Sequence, residues 1–391
     1  MSASSRPTVA RPTIVRVEWA RLQGQRPRHA GRNARLDEHG SIVRPALARL
    51  TTSDGAQGFG FCRAPVAAAQ AIVGQALDTL FQTEPGAQAG ATAAGQAFDF
   101  PLWDLMAKRA DKPVYALATE LTKGHTTPAE LTVPCYDTSL YIDDLHLEDE
   151  ANAAALIAAE AREGWARGHR AFKLKVGRGS RHMDLMAGTR RDIAVIQAVR
   201  AAIGPHAPLM IDANNGYNLN LTKQVLTATA DCAIYWLEEA FHEDSVLYAD
   251  LRAWLQTTGL DVLIADGEGD ASPQLLSWAE TGVIDVVQYD IFGYGFSPWL
   301  RLGQQLDAWN VRSAPHHYGA HYGNYAACHL ASAIQGFSFV EWDEATTPGL
   351  DAADYRIVEG RVQVPNRPGF GVDLDEDVFV AARDGEGYLL E

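Results

Sequence analysis

The chain has 391 residues, 47% apolar and 21% charged, with a formal net charge of -16. That length suits a large barrel with a smaller partner, and that composition is normal for a globular protein. The negative balance argues against nucleic acid as a partner, and no apolar run reaches the ~18 residues that a membrane-spanning helix needs.

Residues 1–12 read as a frayed tail with no apolar core of a secretory signal. Residues 13–20 (TIVRVEWA) alternate as a strand. The next stretch, QGQRPRHAGRNARLDEHG, is polar, rich in Arg and His, and too long for a tight hairpin, so a long functional or disordered loop is expected. Residues 42–50 and 57–62 read as two more strands with SDG as the turn between them. Residues 66–82 and 91–109 have helical periodicity, the second with Phe98, Leu102, Leu105 and Met106 on one face. Together these form an α+β unit.

From Val133 the pattern changes. Strand-like runs at 133–137, 170–176, 208–213, 234–239, 261–266, 284–290, 311–315 and 337–342 alternate with helical segments. That alternation predicts an α/β fold with a parallel barrel. After 345 the chain turns irregular and is expected to return to the first unit. The expected organisation is 1–128 as an N-terminal α+β unit, 129–345 as the barrel and 346–391 as a returning segment. Cys62, Cys135, Cys232 and Cys328 are widely spaced and lack CxxC pairs, which fits a reduced, cytoplasmic setting.

Polar side chains recur at the ends of the apolar runs: Lys175, Asp212, Glu238, Glu268, Asp290, His316 and Glu341, with gaps of roughly 22 to 37 residues. One strand, one helix and two loops fill such a gap, so all seven are expected at one end of the barrel, where barrels carry their chemistry. Asp212, Glu238 and Glu268 offer oxygen ligands from successive strands to a hard cation such as Mg²⁺. A helix-capping role for each acid is the alternative. Strand alternation sends Glu239 to the face opposite Glu238. Lys173 and Lys175 share a face, and burial with neighbouring cations is expected to lower the lysine pKa into the range of a base. Asp290 and His316 on adjacent strands suit an acid–base dyad, although His317 and His321 compete for the histidine role. Glu341 is a candidate hydrogen-bond donor to an oxyanion if protonated, with Asp343 and Glu344 as competitors. Asn214, Arg26, Arg28, His29 and Arg63 are candidate substrate-binding residues. The glycine-rich GAQGFG and FGYGF lack the spacing and context of a dinucleotide motif.

As a set, KxK (Lys173, Lys175), DANNGY (Asp212), LEE (Glu238), ADGE (Glu268), QYD (Asp290), APH (His316) and VEW (Glu341) resemble the enolase superfamily, and within it the mandelate racemase and muconate lactonizing enzyme-like group. The resemblance spans about 13 to 375. It implies a (β/α)7β barrel under an α+β capping domain, with Mg²⁺ held by Asp212, Glu238 and Glu268, and often an even-numbered homo-oligomer. It further implies that a base removes the α-proton of a small-molecule carboxylate to give an enediolate, with Lys175 on one face and His316, backed by Asp290, on the other. Two features depart from the group's pattern. Ala240 follows the paired acids where Pro is usual, and Phe61 stands where the first hairpin normally carries Glu. Dehydration of a sugar acid to a 2-keto-3-deoxy acid is the expected reaction. Racemisation or epimerisation, a Schiff-base aldolase using Lys175, and a catalytically silent binding protein stay open.

Overall fold

The computed structural model describes residues 11–86, 88–123, 129–269 and 271–391. All but the last two residues of the expected tail at 1–12, and the expected boundary at 128, lie outside these ranges. Among the described residues no helix is long and apolar enough to cross a membrane.

The N-terminal unit is an antiparallel sheet of four strands in the order Tyr388–Leu390, Ile14–Arg21, Ala46–Thr52, Gln57–Phe61. Val17 lies opposite Leu50 and Leu390, so these apolar side chains share one face of the sheet, the face on which Gly58 stands opposite Leu50. Helix Asp99–Arg109 covers that face. A Cβ on Gly58 would collide with the Leu105 backbone and one on Gly60 with Phe100, so these two glycines of GAQGFG serve helix-on-strand contact, while Gly55, at φ of +87°, serves the turn.

Several expected elements of this unit are corrected. The run at 42–50 splits into Gly40–Val43 and Ala46–Thr52 around Pro45, which has no N–H for the ladder. The expected long loop is a hairpin, because Gly24–Ala30 pairs with Gly40–Val43. Backbone bridges Gln25–Thr346 and Arg32–Ile142 tie that hairpin to the second half of the chain. The helix expected at 66–82 breaks near Gly74, whose φ is +83°. The one expected at 91–109 begins only at Asp99, and Val114–Lys123 forms a further helix.

The second half contains a parallel sheet. Its strands are β1 (Leu131–Leu140), β2 (Phe172–Lys175), β3 (Leu209–Asp212), β4 (Ile234–Glu238), β5 (Leu263–Asp266), β6 (Val286–Val287), β7 (Arg312–Ser313) and β8 (Val340–Trp342). Neighbours in sequence are neighbours in the sheet from β1 to β7, and β8 pairs with β1. Helices separate the strands from β1 to β8. Asp149, Asp184, Asn218, Asp244 and Asp290 each cap a helix by accepting from its first backbone N–H groups. Leu174, Ile211, Leu237, Ile264 and Val287 pack on the large core. Tyr136, Met210, Trp236, Ala265, Val286 and Ala314 gather into a separate cluster on the other face. Period-2 alternation then sets Lys173, Lys175, Asp212 and Glu238 on that same face, at the carboxyl ends of their strands.

The returning segment divides. The hairpin Arg356–Val358 and Arg361–Val364 pairs with the start of β1, while Tyr388–Leu390 and helix Glu376–Glu386 pack on Ile14–Arg21.

His329 is buried between two halves of the fold. Its Nδ1 accepts from the Tyr115 backbone N–H at 2.8 Å, and Nε2 lies 2.8 Å from the Tyr355 hydroxyl. Burial holds this ring neutral, with its pKa lowered from 6.5 to about 3. The folded pKa is below the unfolded one, so the unfolded chain binds the extra proton between those values. Stability is therefore present above about 6.5 and is lost as pH falls through the window. The stability advantage of the wild type over His329→Gln should shrink by ~1.4 kcal/mol per pH unit between pH 6 and 4. Urea titrations of both proteins across that range check this, and parallel curves would contradict it.

Candidate active site

Lys173 and Lys175 leave β2 on its inner face, and Lys173 has no solvent exposure. The Lys173 ammonium lies 2.7 Å from Glu238 Oε1, 2.9 Å from Glu341 Oε1 and 3.5 Å from Asp212 Oδ2. Its underside faces the Tyr136 ring, 5.4 Å from the centroid. Burial disfavours the charge, but Glu238 and Glu341 outweigh it and hold the pKa above the usual lysine range. The Lys175 ammonium donates to Asp212 Oδ2.

The carboxylates follow on β3, β4 and the turn after β5. Register places Asp212 opposite both Lys175 and Glu238 on the neighbouring strands. Glu238 Oε2 accepts from Gln288 Nε2 at 2.8 Å and Trp236 Nε1 at 3.1 Å. Glu268 Oε1 accepts from Asn214 Nδ2 at 3.2 Å. One carboxylate oxygen each from Asp212, Glu238 and Glu268 lies within 4.8 Å of the others. Burial first, with Asp212 and Glu268 adding to it and Lys173 opposing, pushes Glu238 up to about 7. Three acids forced together in this way, with oxygen donors only, fit a hard divalent cation. Its charge would also offset an excess that Lys173, Lys175 and His316 leave uncompensated.

His316 follows β7, and its backbone bridges to Asp290 beyond β6. Its Nδ1 is 3.1 Å from Asp290 Oδ2, and its Nε2 is 3.2 Å from Glu268 Oε2. Burial opposes the imidazolium, but Glu268, Glu341 and Asp290 raise the pKa to about 10. Asp290 serves twice, since its Oδ1 caps the next helix through the N–H groups of Phe292 and Gly293. Glu341 accepts from Thr138 Oγ1 at 2.7 Å and from the His317 backbone N–H at 3.0 Å.

Three expectations about this group are corrected. Glu239 is not carried away from Glu238: its φ of +42° ends the strand alternation. Its carboxyl bonds Asn214 Nδ2 at 2.9 Å and Asn215 Nδ2 at 3.0 Å, and burial with Glu268 and Asp212 pushes it up to about 9. Lys175 is not tuned down. Burial does lower its pKa, but Asp212 outweighs this and raises it above the ordinary value. Glu341 is ionised rather than a proton donor. Burial raises its pKa, but Lys173, His316 and His317 hold it well below the usual carboxylate range.

The candidate substrate-binding residues separate. Asn214 joins the carboxylates. Arg26 lines a hollow beside Thr138 and Tyr141, stacked 4.3 Å from the Tyr318 ring centre and bonded to Asp343. Arg28 lines the same hollow but bonds Ser139 O at 2.7 Å and Glu163 at 3.1 Å. The structure brings neither His29 nor Arg63 into contact with the group. His29 pairs with Glu38 at 3.3 Å, and Arg63 lies exposed over the Phe61 ring. Sequence reasoning passed over Trp236, Gln288 and Thr138, although Trp236 and Gln288 stand two residues before Glu238 and Asp290. His39 and Tyr141 also escaped it. His39 packs at a tilt against Tyr141, centroids 5.0 Å apart, and the Tyr141 ring lies 5.8 Å from the Lys175 ammonium.

Residues 156–378 match the family described as enolase C-terminal domain-like. The chain is similar to a solved galacturonate dehydratase mutant from a Geobacillus species complexed with Mg, at 46% identity and TM-score 0.93, covering 97% of both chains. The same enzyme complexed with D-galacturonate and 5-keto-4-deoxy-D-galacturonate matches at 45% identity and TM-score 0.92, covering 98% of this chain and 100% of that one. D-galactarolactone cycloisomerase from Agrobacterium fabrum is 26% identical over 86% of this chain and 90% of its own length.

Replacing Glu268 by Gln removes one of three crowded charges. Saturating MgCl2, worth ~2.7 kcal/mol at a hundredfold excess over Kd, should raise the melting temperature of the wild type only. Thermal melts with and without MgCl2 check this, and an equal rise in both proteins would contradict it.

Proposed function

This chain belongs to the enolase C-terminal domain-like family, and on that premise we propose that it is a Mg²⁺-dependent hydro-lyase that dehydrates a sugar acid to its 2-keto-3-deoxy product. The observation that carries the reading is one group of side chains: three carboxylates able to share a cation, with Lys175 on the strand before them and the His316–Asp290 pair just after them. The Geobacillus enzyme supports it. Numbered from the carboxyl end, the 5-keto-4-deoxy-D-galacturonate with which it is complexed is a 2-keto-3-deoxy acid.

Asp212, Glu238 and Glu268 would hold Mg²⁺, which when bound supplies a Lewis acid toward the substrate carboxylate, worth several kcal/mol in such reactions. Lys173, clamped between Glu238 and Glu341, presents a fixed positive charge where negative charge develops on the substrate. Lys175 is the base for the α-proton. Asp212 is what keeps it protonated, so drawing charge from Asp212 prepares it to accept a proton. His316 is the acid. With its pKa raised to about 10, it is an imidazolium at neutral pH, and it protonates the β-hydroxyl as the carbon–oxygen bond breaks. Water leaves and the enol settles to the ketone.

We further read the parallel strands as a closed (β/α)7β barrel under a capping domain. β8 pairs with β1, and Ser313 of β7 exchanges backbone bonds with Gly336 and Ser338 on the way into β8. The four free, buried cysteines support a reducing, cytoplasmic setting.

The test is a panel of sugar acids with MgCl2, read by trapping 2-keto products. Turnover that is lost in EDTA and restored by Mg²⁺ is expected; α-proton exchange with no keto product from any acid overturns the dehydration. Lys175→Ala and His316→Asn should each lose ~10²–10⁴-fold in kcat with circular dichroism unchanged. Full activity in both would end the two-residue mechanism.

A further inference from the structure

We propose that Gln288 and Trp236 make the metal centre selective for Mg²⁺ over Ca²⁺. They fill one oxygen of Glu238, so that this carboxylate can offer a cation only its other oxygen. The inference rests on the triad holding a divalent cation and goes beyond the proposed reaction, which needs an ion but does not choose it.

An ionised carboxylate has two oxygens with about four lone-pair sites between them, so it can take a cation through one oxygen or through both. Glu238 Oε2 already accepts two hydrogen bonds, from Gln288 Nε2 at 2.8 Å and Trp236 Nε1 at 3.1 Å. Two donors use both lone pairs of that oxygen. Trp236 stands two residues before Glu238 on β4, and Gln288 follows β6. All three side chains are fully buried, so both donors reach the oxygen directly, without water between. The other oxygen, Oε1, faces the Lys173 ammonium at 2.7 Å. Asp212 and Glu268 follow the same pattern with one donor each. Asn214, held at a left-handed φ of +40°, serves both. Its backbone N–H bonds Asp212 Oδ1 at 2.9 Å, and its Nδ2 bonds Glu268 Oε1 at 3.2 Å. Their remaining oxygens face positive nitrogens. Asp212 Oδ2 accepts from Lys175, and Glu268 Oε2 lies 3.2 Å from His316 Nε2, buried and without a hydrogen bond. The three acids therefore turn one oxygen each toward the place of a shared ion, and Glu238 is the most firmly restricted. Mg²⁺ keeps several of its waters and accepts few protein oxygens. Ca²⁺ gathers ~6–8 oxygens and gains from carboxylates that chelate through both. A carboxylate denied its second oxygen penalises Ca²⁺ more than Mg²⁺.

The experiment measures the affinities of the full chain for Mg²⁺ and for Ca²⁺ by calorimetry, with no substrate present. It compares the wild type with the double variant Gln288→Leu/Trp236→Phe, which removes both donors and keeps most of the packing. The wild type should bind Mg²⁺ at least ~10-fold more tightly than Ca²⁺. In the double variant Mg²⁺ should weaken by ~10–100-fold. Ca²⁺ should weaken less, because Glu238 Oε2 is then free to join it, so the preference for Mg²⁺ narrows by ~10-fold or more. Equal weakening of both ions means that the donors only steady the carboxylate, and overturns the inference. So does a wild type that binds the two ions equally well. A wild type that binds neither ion overturns the metal reading itself, and this inference with it. Should circular dichroism show the double variant unfolded, Trp236→Phe alone keeps a ring against Tyr136 and Phe339. It frees one lone pair of Oε2 and should narrow the preference by about threefold; an unchanged preference overturns the role given to these donors.

Discussion

One buried ammonium, that of Lys173, makes the rest of the site sustainable. Asp212, Glu238 and Glu341 come from three different strands and all lie within 3.5 Å of it. Without that charge, the acids at the sheet mouth would be desolvated and mutually repelling. Buried pairs of this kind add little net stability over apolar packing, but losing one partner is costly because the other is left unpaired. The group is therefore a functional expense of the fold. It persists because Tyr136, Trp236 and Phe339 form a rigid aromatic base next to it, with the Tyr136 and Trp236 ring centres 5.5 Å apart. Each bond to Glu238 from Gln288 and Trp236 also fixes the carboxylate before any cation arrives, which is the preorganisation that a site of this chemistry needs.

Much of this geometry was legible from spacing alone. A strand followed by a helix returns the chain to the same end of a sheet, so polar residues at strand ends converge whatever lies between them. Lys173, Lys175, Asp212, Glu238, Glu268, Asp290, His316 and Glu341 come together for that reason. What stayed hidden depends on departures from regularity or on tertiary electrostatics. Glu239 escapes strand alternation because a single residue adopts φ of +42°. The hairpin at 24–43 reads as a loop in the sequence because Arg26, Pro27, Arg28 and His29 hide any apolar alternation in its first strand. The direction of the Lys175 shift could not be judged from burial, because it is set by Asp212 across the ladder from it. The Arg26–Asp343 pair joins residues 317 positions apart, and nothing in either neighbourhood announces it.

That pair changes what the hairpin means. Arg26, Arg28 and His29 invite reading as an anion-binding loop, yet the folded chain has matched each with a carboxylate. The hairpin thus supplies shape, with His39 packed against Tyr141 and Tyr318, while positive charge without an arginine's own partner is concentrated at the sheet mouth in Lys173, Lys175 and His316.

The account stands on Asp212, Glu238 and Glu268 sharing one cation. The most direct measurement is anomalous diffraction from a crystal soaked in Mn²⁺, a stand-in for Mg²⁺ that scatters strongly enough to be located. A single peak bonded to one oxygen of each of the three carboxylates is predicted. A peak elsewhere, or none at the triad with the ion present in excess, would contradict the central claim and remove the proposed reaction with it.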